Sequence, residues 1–193
     1  MRMEKILVEH GAPTLAGLKT ANLFSVRMGG DDLVSFLRQA NRILKEKGMK
    51  VIPVRRRSGT ALLYLFRPDR LEEDLNRPEA LSLLREMGYP DGSYEKCIHC
   101  LIRHLKEDAQ FPHEIGLFLG YPPSDVRQFM KSSREGVKCS GCWKAYSNEQ
   151  EAEKLFATYR RCTCIYRRKI EEGRSLESLA VRSSRRSAFR AVS

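Results

Sequence analysis

Six consecutive positions, Ala61-Leu62-Leu63-Tyr64-Leu65-Phe66, are apolar. A strand alternates its side chains between two faces, so this run is apolar on both and reads as the centre of a sheet. Val51 to Arg57 precedes it across Ser58-Gly59, and the two stretches predict a hairpin. Pro53 cannot donate to a ladder, which places the first strand at an edge or at a bulge. Ala21 to Val26 is a further strand, preceded by turn chemistry at Gly11-Ala12-Pro13-Thr14.

The rest of the pattern is largely helical. Asp31-Asp32 opens a helix whose Leu33, Phe36, Leu37, Ala40 and Leu44 share one face, with Gly48 just past its end. Further helices are predicted over 71–76, 78–87 and 94–107. Another runs over 113–119, stopped by Gly120-Tyr121-Pro122-Pro123, and Ser124 caps a short one through Met130. Lys138 to Tyr146 reads as one strand, and Glu149 to Glu172 as a long amphipathic helix ending at Gly173. The expected class is α+β: one domain over residues 1–175, with a small, mostly antiparallel sheet and several helices. Residues 176–193 are expected to be a poorly ordered basic, Ser/Arg-rich tail.

Composition sharpens this. The 193 residues carry 35 Lys plus Arg against 24 Asp plus Glu, a formal charge of +11. From Arg160 onward there are 10 basic and 3 acidic residues, so most of the excess lies on the last helix and the tail. The body is close to balanced, which speaks against a nucleic-acid surface spread over the fold. No apolar run is long enough to span a bilayer and no secretory leader is evident, so the chain is expected in the cytoplasm.

Six cysteines form Cys97-x-x-Cys100, Cys139-x-x-Cys142 and Cys162-x-Cys164. In a cytosolic chain such spacing points to metal or redox chemistry before disulfides. On a helix Cys97, Cys100 and His104 share one face and supply three candidate ligands for zinc or an iron–sulfur cluster. Cys139, Cys142 and Cys162 are the other candidates. Against this, 38 residues separate Cys100 from Cys139, and Cys139 and Cys142 diverge on a straight strand unless Ser140-Gly141 makes a knuckle. Buried structural thiols are the default reading. A redox dithiol at Cys97-Cys100 ranks below the metal site, because no thioredoxin-like strand precedes it.

The stretch Phe111-Pro112-His113-Glu114-Ile115-Gly116-Leu117-Phe118-Leu119-Gly120-Tyr121-Pro122 carries a resemblance, supported by Pro13 to Lys19, Asn22-Leu23-Phe24, Gly141-Cys142-Trp143-Lys144-Ala145-Tyr146 and the Tyr159 to Thr163 segment. Together these resemble the bacterial domain-of-unknown-function family 3793, from about His10 to the end of the long helix. The resemblance brings no established activity; it implies a bacterial protein associated with iron or redox physiology.

Three functions follow as expectations. The first is binding of a small anionic ligand or redox cofactor, or contact with a redox partner protein. Lys19, His113, Glu114, Cys139, Trp143 and Lys144 would line the site, with His113, Glu114 and Cys139 as candidate catalytic groups. The second is the cysteine metal module. The third is nucleic-acid binding through a helix-turn-helix-like pair over 113–131 and the basic tail. Arg55, Arg56, Arg57 and Arg67 flank the hairpin as further anion donors, Arg55 to Arg57 reading more simply as a solvated strand end.

Overall fold

The computed structural model describes residues 3–107, 110–132 and 135–183. The hairpin forms as expected. Strands β1 (Ala21–Arg27), β2 (Lys50–Arg57) and β3 (Thr60–Phe66) make an antiparallel sheet in the order β1-β3-β2, with the apolar run in the middle. Pro53 lies on the edge strand β2, and the register slips between Pro53 and Arg55. Both consequences follow from its missing N–H.

The two faces of β3 feed two cores. Ala61, Leu63 and Leu65 join Phe24, Val26 and Val51 under α1 (Met3–Leu15) and α2 (Gly30–Glu46). Tyr64 and Phe66 face α3 (Pro68–Leu75), α4 (Pro78–Glu86), α5 (Tyr94–Glu107) and α6 (Ile115–Phe118). These helices and α7 (Pro123–Lys131) make the second layer. Asp31 and Asp32 stand in the first turn of α2, where carboxylates suit the helix dipole. The fold is a single α+β domain.

The N-terminal reading needs correction. Gly11 to Thr14 lie in the last turn of α1 and are buried there. A Cβ at Gly11 would collide with the Leu65 side chain, so this glycine serves close helix–sheet packing, not a turn. Arg67, 1% exposed, is not an anion donor on the surface. Its Nε donates to Thr14 O (2.7 Å) and its Nη2 to Leu15 O (2.9 Å), so a cation closes the C-terminal end of α1.

Packing also continues past residue 175. The helix α8 (Glu149–Glu171) is followed by α9 (Leu176–Leu179), whose Leu176 enters the α1–α2 core together with Ala180. Arg67 Nη2 donates to Val181 O (2.8 Å), and Val181 N–H to Leu15 O (2.9 Å). The apolar Leu176, Leu179 and Ala180 explain why this stretch leaves the expected tail and joins the body. Most of the Ser/Arg-rich run lies outside the described residues.

Candidate functional site

The segment that leads into α6 and the hairpin that follows α7 meet in one cleft of about 480 Å3. Phe111, His113, Tyr121, Phe129, Trp143 and Lys144 supply most of its wall chemistry. Such a volume is typical of a small-molecule site.

Local structure here departs from the simple pattern. The helix expected over 113–119 is a four-residue turn of helix, with His113 and Glu114 in the tight turn before it. Gly116 packs so near α7 that a Cβ there would fall 2.7 Å from Val126 Cγ2. Pro123 takes the first position of α7, so Ser124 is inside the helix and does not cap it. The single strand expected over 138–146 is a hairpin of two short strands, β4 (Cys139–Ser140) and β5 (Lys144–Ala145). Gly141 N–H donates to Trp143 O (3.0 Å), closing the turn between them. A side chain at Gly141 would collide with the Phe156 ring, which is why the knuckle contains glycine.

Asp125 holds this hairpin on α7. Its buried carboxylate accepts from Trp143 Nε1–H (3.0 Å), Tyr146 N–H (3.0 Å), Ser147 N–H (3.0 Å) and the Ser147 hydroxyl (2.9 Å). A buried carboxylate is tolerated when donors replace its water. The consequence is a fixed indole. Trp143 stacks on Tyr121 at 4.9 Å and meets Phe156 edge-on at 4.6 Å. The Tyr121 hydroxyl donates to Cys142 O (2.8 Å), fixing the second ring.

Cations border the aromatic walls. Lys144 Nζ lies 5.5 Å from the Phe129 ring centre, and Arg55 Cζ lies 5.6 Å from that of Phe111. His113 meets Phe129 edge-on at 4.9 Å and is exposed at the cleft. Arg55 is thus half-buried against an aromatic ring, whereas Arg56 and Arg57 are the solvated strand end expected for all three.

Lys19 does not line the cleft. It backs it, 7% exposed, with Nζ 5.0 Å from the Tyr121 ring centre. Burial pulls its ammonium down to about 8, and the nearby Cys142 thiol opposes that shift. Cys139 is also outside the cleft: it is half-buried beside Ala145 and Phe156, and burial raises its thiol above the usual range.

Glu114 turns the other way from His113. Its carboxylate is 2% exposed and accepts from the Tyr89 hydroxyl (2.9 Å) and from His104 Nδ1 (3.1 Å). On the far side of the imidazole, Nε2 faces Cys100 Sγ at 3.7 Å, and Arg103 Nη2 donates to the same sulfur at 3.4 Å. Burial, followed by the charge of Glu114, pushes the Tyr89 phenol well above its ordinary range, so it stays a donor. His113, Glu114 and Cys139 therefore do not assemble as one catalytic group.

The metal candidates do not assemble either. Cys97 and Cys100 are buried on α5, Cys162 is buried on α8, and Cys142 is exposed at the hairpin knuckle. Among the described residues, no three His, Cys, Asp or Glu side chains converge to hold an ion. The helix pair α6–α7 packs as two core elements: α7 buries Asp125 and Val126, and Arg127 pairs with Glu86 at 2.9 Å. No helix among the described residues is long and apolar enough to cross a membrane.

Sequence reasoning missed Tyr121, Asp125 and Phe129 as cleft residues. Tyr121 was legible only as part of a helix stop, and Asp125 as a charge at a helix start. Neither a curated protein nor a solved structure matches the chain. The model of a family described as proteins of unknown function, DUF3793, matches residues 7–180, and the chain belongs to that family.

Proposed function

We propose that the cleft binds a small, planar, anionic ligand, of the chemical class to which flavin phosphates belong. The observation that carries this reading is the pairing of immobilised aromatic walls with cations. Trp143 and Tyr121 are locked by hydrogen bonds, while Lys144 and Arg55 stand over the neighbouring rings. Fixed rings offer contact area at low entropic cost, and Lys144 at the cleft wall selects a negative substituent on the ligand. His113 adds a polar group at the same opening. Lys19 supports the wall from behind as a positioning residue.

Trp143 is the single tryptophan of the chain, so its fluorescence reports on the cleft directly. Titration with flavin mononucleotide is expected to quench it saturably, and riboflavin, which lacks the phosphate, is expected to bind more weakly. Unsaturable quenching by both compounds, or equal affinity for both, overturns the anionic reading.

A further inference from the structure

The thiol on the far side of the Glu114 turn has the parts of a reactive site that the cleft does not use. Glu114 Oε1 accepts from His104 Nδ1, which orients the ring and leaves Nε2 facing Cys100 Sγ. Tyr89 donates to the same carboxylate oxygen and fixes it. This is the order of a nucleophile, a base and an orienting acid. Cys97 lies three residues before Cys100 on the same buried helix face. We propose that Cys100, His104 and Glu114 form a peroxide-reactive thiol site in which Cys97 is the resolving thiol.

Access sets the substrate class. Cys100 is only 7% exposed, and its contact with the exposed Arg103 places one surface side chain over the sulfur. Such burial favours a water-sized peroxide over a large electrophile, with Arg103 moving off the sulfur to admit it. The guanidinium then donates to a peroxide oxygen as it does to the sulfur.

The chemistry balances. The Cys100 proton passes to His104 Nε2, and the sulfur attacks one peroxide oxygen. The O–O bond breaks, and the departing hydroxide takes the proton from Nε2 and leaves as water. Sulfur is oxidised to the sulfenic acid by two electrons and the peroxide is reduced by two. Cys97 Sγ then attacks the Cys100 sulfur, its proton leaves with the hydroxyl as a second water, and a disulfide forms. An external dithiol restores both thiols. Cys97 lies in the first turn of α5, and residues three apart on a helix are neighbours on one face.

The test uses the reduced full chain, a small excess of hydrogen peroxide, alkylation of remaining thiols and peptide mass mapping. The expected first product is a Cys97–Cys100 disulfide that dithiothreitol reverses, formed before the exposed Cys142 and Cys164 react. Cys97→Ser should stop at a Cys100 sulfenic acid captured by dimedone. His104→Gln should slow the reaction on the order of a hundredfold, the usual worth of a positioned base. Arg103→Gln changes only an exposed side chain and should slow it severalfold, which keeps the test open if His104→Gln does not fold. Oxidation of Cys142 and Cys164 while Cys97 and Cys100 remain thiols overturns the proposal. So does an unchanged rate in Arg103→Gln together with His104→Gln.

Discussion

His113 and Glu114 are neighbours in the chain but belong to two regions built on opposite terms. On the His113 side, rings and Lys144 line an open cleft, and His113 itself is exposed there. On the Glu114 side, a buried carboxylate accepts from a buried phenol and a half-buried imidazole. One tight turn ahead of α6 divides them. An acid and a base adjacent in sequence need not be a pair in chemistry. Where a turn separates two side chains, each takes its role from the core or the solvent that it meets.

The two environments differ most at Glu114. Glu114→Ala leaves the Tyr89 hydroxyl and His104 Nδ1–H without an acceptor in the interior. The expected loss of stability is about 3 kcal/mol, within the range for buried groups left unsatisfied. His113→Ala removes an exposed ring and should change stability by no more than about 0.5 kcal/mol. Urea denaturation of the two variants reads the contrast, and equal losses would mean that the turn does not separate two environments.

Lys19 tests the boundary between the regions, because it is buried behind a wall of the open one. Its folded-state value of about 8 lies below the ordinary 10.5, so burial penalises the charged form. A depressed lysine costs stability fully below pH 8, and that cost fades as pH rises from 8 towards 10.5. Lys19→Met should therefore stabilise the protein near neutral pH by about 2 kcal/mol, the full shift being offset in part by the lost contact with Tyr121. The wild type should gain on the variant as pH rises through that window in urea denaturation. A Met variant that is less stable at neutral pH would show that the ammonium is held by a favourable site.

The fold was legible where pattern and burial agree. The six apolar positions from Ala61 to Phe66 place β3, and Pro53 marks the edge strand, because each rests on the backbone's own hydrogen-bonding needs. Gly11 and Pro13 misled, since a glycine that admits Leu65 and a glycine that makes a turn look alike in sequence. The site was legible in part. His113, Trp143 and Lys144 do meet in the cleft, yet the Asp125 carboxylate that fixes Trp143 comes from 18 residues earlier and nothing local signals it. The Glu114–His104 contact likewise depends on how α5 packs beside the turn before α6.

At the rim of the open cleft, single charges carry small effects. Lys144→Gln removes the charge over Phe129 and leaves a polar side chain one atom shorter. A partly exposed ion pair with a phosphate is worth up to about 1 kcal/mol, so affinity for flavin mononucleotide should fall by up to about fivefold. Riboflavin binding should be unchanged. The charge-dependent part should shrink further as salt rises, since a partly exposed pair is screened over roughly 8 Å at physiological ionic strength. Measuring both ligands on the same variant separates charge from shape: a loss shared equally by riboflavin would assign Lys144 to the packing of the Phe129 wall. A selective loss makes the rim an electrostatic filter that can be retuned without touching the closed half of the molecule.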